Sequence, residues 1–380
     1  SWGSTQAAAA DTGSKKEVVI WDYFETDAQK AMMTTLLDGF NASQDEYVAS
    51  HVYVPFSDYE KQLTLGIASG ELPDLVILDG CSMASFISLG LFGDISDADI
   101  KWDEYIAGPM ESTMADGRHY GIPFATNCTA LFYNKDMFDK AGITQAPGSL
   151  GEIGRIADDL VNKGGAGEPI SLSIYGWFFE QFTCKQGQNY VNNGNGRKAA
   201  ATAVEFDQNG AGAKTLAAWK ELYDKGYAPN IGRGGDAGLA DFSSGKSAMT
   251  LGSTASLKQI LEDVNGKFEV GTAYFPMVSD SDKGGVSIGG ASLWALNNED
   301  EAKKAATWEF VKFLVSPESQ AYWNAQTGYF PVTVKAHEEP VFRENLEKYP
   351  QFGTAIDQLH DSAPQSAGAL LSVFPEARQV

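Results

Sequence analysis

The chain has 380 residues, 43% hydrophobic and 21% charged, the profile of a globular protein long enough for two domains. Its formal net charge of −22 repels phosphate backbones and anionic lipid, which argues against nucleic acid and membrane surfaces as partners. No apolar run approaches the ~20 residues of a membrane-spanning helix.

Residues 1–16, small and polar, read as a flexible tether that begins with an expression scar. A mature exported protein stripped of its signal looks like this, and so does a tagged cytosolic one. "EVVIW" (17–21) predicts a short buried strand. Thr26 and Gln29 match a capping box, and Met33, Leu36, Leu37 and Phe40 fall on one helix face. "YVASHVYVPF" predicts a second strand. Ser57 and Glu60 repeat the capping box ahead of a stripe at Tyr59, Leu63 and Ile67, and Gly70 suits a left-handed helix end. Pro73-Asp74 then reads as a turn into the apolar strand "LVIL". Apolar strands alternating with amphipathic helices predict a parallel sheet covered on both faces.

In "ALFYNKDMFDKAGI" (130–143) an apolar strand meets a very short helix, with Asp136 as the expected cap and Gly142 closing it with positive φ. Asn134 and Lys135 read as structural. Ser149 and Glu152 form a third capping box, with Ile153, Ile156, Ala157 and Leu160 as the buried face. Leu216, Trp219, Leu222 and Tyr223 form another stripe, "SAMTL" a strand, and "EAKKAATWEFVKFLV" a helix stopped at Ser316-Pro317. The pattern predicts two doubly wound α/β units.

Catalytic and metal motifs are lacking. The three cysteines, Cys81, Cys128 and Cys184, form no CxxC pair and read as buried free thiols. None of the four histidines sits near another His or Cys at metal spacing. No GxSxG or HExxH occurs. Gly232 to Ala237 fits GxGxxA, but no apolar strand precedes it, so it reads as a plain loop. Aromatics are more informative. Trp219 and Trp308 lie on apolar stripes and belong to cores. Tyr23, Trp177, Tyr329 and Phe330 sit at element ends beside Gly, Pro or polar residues, where open α/β sheets place ligand crevices.

"LFYNKDMFDKAGI" closely resembles a signature of the extracellular solute-binding proteins of carbohydrate ABC transporters, the maltose-binding-protein-like family. Further matches follow in that family's order: "SGELPDLVIL" (69–78), "YGIPFATN" (120–127), "FSSGKSAMTLGS" (242–253), "GGVSIGGASLWALN" (284–297), "AATWEFVKFLVSPESQAYW" (305–323) and "TGYFPV" (327–332). The resemblance implies two doubly wound α/β lobes joined by a hinge of crossing strands, the type II periplasmic-binding-protein fold. Crossings are expected near 125–129, 286–290 and 327–331. The N-terminal lobe would hold 17–127 plus 290–328, and the C-terminal lobe 128–289 plus 329–380.

The resemblance also implies a function. A sugar, an oligosaccharide by preference, would be held in the interlobe cleft and delivered to an ABC importer without conversion. A sugar offers apolar C–H faces to aromatic rings and a rim of hydroxyls to planar amides and carboxylates. Carried over by motif, the ligand-binding positions are Tyr23 and Glu25 after the first strand, Asp79 after "LVIL", Asn127 after "GIPFAT", and Trp177 before "QGQNYV". Ser253 and Thr254 stand where many relatives have tryptophan, and the backbone amides of Gly289 and Gly290 also face the expected site. Tyr329 and Phe330 complete the set. The implied partners are the permease subunits, for a monomeric protein in the periplasm or anchored as a cell-surface lipoprotein. No cofactor, metal ligand or catalytic residue is expected. Two alternatives stand beside this reading. One is a relative that binds a polyol phosphate, which an electropositive cleft would favour. None of the six arginines, Arg118, Arg155, Arg197, Arg233, Arg343 and Arg378, takes an expected cleft position. The other is a glycan-active enzyme with a carboxylate pair about 5–10 Å apart, for which Glu25 and Asp79 are the candidates.

Overall fold

The computed structural model describes residues 14–361, except 26, 79–85, 88, 107–109, 111–112, 196–200 and 287–288. Asp79, Thr26, Cys81 and most of the expected tether therefore lie outside the described residues. The strands in chain order are β1 (Lys16–Asp22), β2 (Tyr47–Tyr53), β3 (Leu75–Leu78), β4 (Met114–Ala115), β5 (Arg118–His119), β6 (Ile122–Asn127), β7 (Thr129–Asn134), β8 (Glu168–Ser171), β9 (Ser247–Ser253), β10 (Val270–Tyr274) and β11 (Gly289–Ala295). Two compact units divide the chain. The first is residues 1–126 with 290–343, and the second is 127–289 with 344–380.

The first unit carries a five-stranded sheet in the order β2-β1-β3-β11-β6. β1 pairs in parallel with β2 and β3, as the apolar runs and intervening helices predict, but β11 joins β3 antiparallel. The sheet is therefore mixed, because β11 arrives from a distant part of the chain and not through a short crossover. Asp74 stitches β1 to β3: its carboxylate accepts from Val19 N at 2.9 Å and its own N–H donates to Val19 O at 2.9 Å. Helix Asp27–Ser43 buries Met33, Leu36, Leu37 and Phe40, with Phe40 set 5.0 Å from Phe310.

Helix Phe56–Ser69 differs from expectation at two points. It starts after Pro55, with no side-chain cap, so Ser57 lies inside the first turn. Its buried face runs Tyr59, Leu63, Gly66, and Ile67 is exposed. Gly66 takes the inward place because a Cβ there would stand 2.6 Å from Leu72 Cδ2. The sequence places 329–343 with the second lobe, whereas the structure builds it into the first unit. Val332 N donates to Gln320 Oε1 at 2.8 Å, and the Tyr329 ring stacks on Trp323 at 5.9 Å. Helix Pro317–Thr327 thus holds the segment that follows it.

The second unit carries a four-stranded sheet, β10-β7-β9-β8, in which only β8 and β9 run parallel. Its core gathers Ala130, Phe132, Phe242, Leu257, Ile260, Val264, Val270 and Phe352. Helix Lys135–Lys140 is capped by Asn134, whose side chain accepts from Met137 N at 3.1 Å, and not by Asp136. Asn134, two residues before Asp136 and directly ahead of the helix, is the position from which a side-chain oxygen reaches the N3 amide. Gly142 closes this segment at φ 72° and Gly70 its earlier counterpart at φ 75°, conformations that cost glycine little. Ser149 caps helix Leu150–Asn162 as expected, accepting from Glu152 N at 3.0 Å. On helix Ala211–Asp224 the buried face runs Thr215, Trp219, Leu222, and Leu216 is exposed. Trp219 is a core residue, whereas Trp308 is half-buried and lines a surface hollow of the first unit. Cys128 and Cys184 are both buried.

Glu168, at the head of β8, is buried beside Asp241. Burial, and next the neighbouring Asp241 carboxyl, push its pKa up to about 7. An unfolded-chain glutamate titrates near 4.3, so between roughly pH 4.3 and 7 the folded protein holds more proton than the unfolded one. Stability therefore falls as pH rises through that window, by at most one proton's worth of slope. Glu168→Gln is expected to flatten this segment in urea denaturation at pH 5 and pH 7.5. An unchanged slope would remove Glu168 as its source.

Candidate binding site

The second unit brings four of the sequence-derived candidates together. Asn127 ends β6 and is buried, and its Nδ2 donates to Ser253 Oγ. Ser253 ends β9, and its Oγ also accepts from Ala255 N at 3.0 Å, capping the short turn Thr254–Ser256. Gly289 opens β11. A Cβ there would stand 2.4 Å from Trp177 Cζ2 and 3.0 Å from Asn127 Oδ1. The glycine therefore lets a backbone lie directly on the indole and the amide. Trp177 sits in the first turn of helix Gly176–Lys185 and is 7% exposed.

Among the described residues two polar atoms of this cluster are buried without a hydrogen-bond partner: Trp177 Nε1 and Asn127 Oδ1. Each unmet donor or acceptor costs roughly 1–3 kcal/mol. A donor and an acceptor left open near one glycine form a pair that a hydroxyl satisfies, since a hydroxyl accepts and donates at once.

Thr254 has a different task. Its N–H donates to Cys128 O at 2.9 Å and its Oγ1 accepts from Cys128 N at 3.2 Å, so it locks the ends of β7 and β9 together. Two features missed in the sequence border the cluster. Tyr175 packs edge-on to Trp177 at 6.4 Å, and the glycine loop 232–238 lies on Tyr175, where a Cβ at Gly235 would come within 2.8 Å of the ring. Ile174 N donates to Gly232 O at 2.9 Å, which ties the loop in place. The same loop carries Arg233, exposed, and Asp236, whose carboxyl burial pushes above the ordinary range against a hydrogen bond from Ser256. A glycine-rich segment beside an aromatic helix start was the available signal.

The first unit holds the other candidates. Tyr23 and Glu25 lie on the turn after β1, which Asp22 shapes by accepting from Phe24 N at 3.2 Å. His51 Nδ1 stands 2.8 Å from the Asp22 carboxylate, so a charged group underlies the turn. Tyr23 packs edge-on to Tyr59 at 5.9 Å, and Glu25 is exposed, accepting from Tyr53 Oη at 3.0 Å. Burial and the nearby Asp22 push the Tyr59 hydroxyl well above its ordinary range. Tyr329 and Phe330 are buried. Tyr329 Oη accepts from Gln29 at 3.3 Å, and Phe330 pairs through its backbone with Thr126, its N–H donating at 3.0 Å. Their rings serve the core of the first unit. Gly290 begins this unit's share of β11 with φ 89°.

Comparison with known proteins agrees over nearly the whole chain. The sn-glycerol-3-phosphate-binding periplasmic protein UgpB of Yersinia enterocolitica is 29% identical over 396 residues, covering 99% of this chain and 88% of the relative. Among solved structures, UgpB of Mycobacterium tuberculosis in complex with glycerophosphocholine superposes with a TM-score of 0.78 at 22% identity, over 96% of this chain and 91% of that one. The GacH receptor of Streptomyces glaucescens, solved unliganded and with acarbose, gives 0.77 at 23% identity, over 96% and 90%. These two likenesses establish the fold, that of the periplasmic binding proteins, built from two α/β lobes. The family model for bacterial extracellular solute-binding proteins matches residues 35–354. The chain belongs to that family, whose members work outside the cytoplasm.

Proposed function

We propose that the protein captures a sugar, an oligosaccharide by preference, and delivers it unconverted to the permease subunits of an ABC importer. The observation that carries this reading is the unpartnered Trp177 Nε1–H and Asn127 Oδ1 beside Gly289. The indole supplies an apolar face, the amide and Ser253 supply planar and hydroxyl contacts, and the glycine lets its own backbone approach the indole and the amide closely. Tyr23 and Glu25 of the first unit, with Asp79, are the proposed further contacts. The chain acts as a monomer in this account, and no residue in it breaks a bond.

A second reading is favoured by one comparison and one residue. Relatives named for sn-glycerol-3-phosphate binding align over nearly the whole chain, and Arg233 stands on the loop against Tyr175. A glycerol phosphate would meet the same hydroxyl-binding pair and use the arginine for its phosphate. A thermal-shift screen against neutral oligosaccharides, sn-glycerol 3-phosphate and glycerophosphocholine separates the two, because a ligand that binds only the native state raises the melting temperature. A sugar should give the largest shift and be recovered unaltered after long incubation. A shift with the phosphate compounds alone would establish the second reading, and recovery of shortened glycan would establish an enzyme.

A further inference from the structure

A second cavity, of about 380 Å3, lies within the second unit and shares no lining residue with the Trp177 cluster. Its walls include Pro147, Ala273, Phe275 and Met277. Lys185, the last residue of helix Gly176–Lys185, lines it and is 6% exposed. Among the described residues its ammonium has neither an ion-pair partner nor a hydrogen-bond acceptor. It stands over the face of Tyr274, with the ring centroid 5.7 Å away. The carboxylates at the cavity are already engaged. Asp282 accepts from Val278 N and Ser279 N at 3.0 Å each, and Asp361 accepts from Tyr274 Oη. Burial pulls the Lys185 pKa down to about 8, partly offset by the neighbouring thiols Cys128 and Cys184. At neutral pH it is therefore still mostly a cation, and among the described residues neither cavity carboxylate, Asp282 or Asp361, forms an ion pair with it, an arrangement that costs free energy unless an anion joins it.

We propose that this cavity binds a small monocarboxylate, with the carboxylate on Lys185 Nζ and the hydrocarbon body against Phe275 and Met277. One buried cation matches one negative charge. A doubly charged phosphate would meet Asp282 and Asp361 with only solvated Lys283 as added compensation. The apolar wall suits an alkyl chain, and the volume lies within the range of small-ligand pockets.

The test uses the intact chain, sodium butyrate as the probe, butyramide as its neutral isostere and inorganic phosphate as a rival anion, all at constant ionic strength. Lys185 acylation by an amine-reactive ester is followed by peptide mass spectrometry. Butyrate at about ten times its Kd should slow labelling of Lys185 about tenfold, and leave Lys283 unchanged. Lys185→Met should abolish the butyrate-dependent rise in melting temperature. Equal protection by butyramide or by phosphate would overturn the proposal. So would unaltered Lys185 labelling at about 100 mM butyrate, enough to saturate a Kd of about 10 mM. If Lys185→Met does not fold, the labelling of the wild-type protein decides alone.

Discussion

Gly284→Ala is expected to lower the unfolding free energy of the second unit by about 3 kcal/mol or more. The methyl carbon would stand 1.7 Å from the carbonyl oxygen of Cys184 and 2.7 Å from Gly187 N. Both are backbone atoms at the end of helix Gly176–Lys185, and neither can rotate away as a side chain can. The crossing is held in place by Gly284 N donating to Lys185 O at 2.8 Å, and by Gly187 N donating to Cys184 O at 2.9 Å. Relief therefore requires that loop and helix end separate, with loss of those bonds and of the wall that presents Lys185. Gly148→Ala is the control, since its nearest neighbour would be Glu152 Oε2 at an ordinary 3.8 Å. Urea denaturation of both variants checks the claim. A loss below about 1 kcal/mol in Gly284→Ala would mean that the crossing opens freely.

Trp177→Ala should weaken ligand binding by roughly 1–3 kcal/mol, about 5- to 150-fold. At 7% exposure the ring is also a packing element, so the same variant should lose about 3 kcal/mol of stability. Binding and folding then fall together, and the alanine variant alone cannot separate them. Trp177→Phe does: it keeps most of the apolar volume and removes the N–H that has no partner in the structure. Affinity should fall about fivefold, the scale of one neutral hydrogen bond, with unfolding close to wild type. Wild-type affinity in Trp177→Phe, measured by calorimetric titration, would show that the indole N–H faces no ligand.

Architecture was the most legible part of the sequence, because strand and helix periods repeat and the caps are local. Ser149, Gly70 and Gly142 behave as their short-range chemistry requires. Expectations failed where a distant segment decided the outcome. Ile67 and Leu216 fit helical stripes by spacing, yet both are exposed, because the opposing surfaces accept Gly66 and Thr215 instead. The antiparallel entry of β11 beside β3 depends on a return from more than two hundred residues away, which no local pattern encodes. In the candidate site, residue types were readable and neighbours were not. Asn127, Trp177, Ser253 and Gly289 are scattered along the chain and meet only in the folded unit. Tyr329 and Phe330 sit at an element end, as the sequence indicates, and in the fold they are buried in the first unit beside Trp323, Gln29 and Thr126. The 232–238 segment reads as a plain loop in the sequence, and only the fold shows Gly235 lying against the Tyr175 ring.

The most direct measurement is a calorimetric titration of the sugar that gives the largest thermal shift into the wild-type protein and into Asn127→Ala. Stoichiometric binding to the wild type is expected. The variant should lose about 1–3 kcal/mol, some 5- to 150-fold, with unfolding near wild type, because the amide removed has one oxygen waiting for a ligand hydroxyl. Equal affinity in the two proteins would contradict the site, and heat from sn-glycerol 3-phosphate with none from any sugar would contradict the proposed ligand.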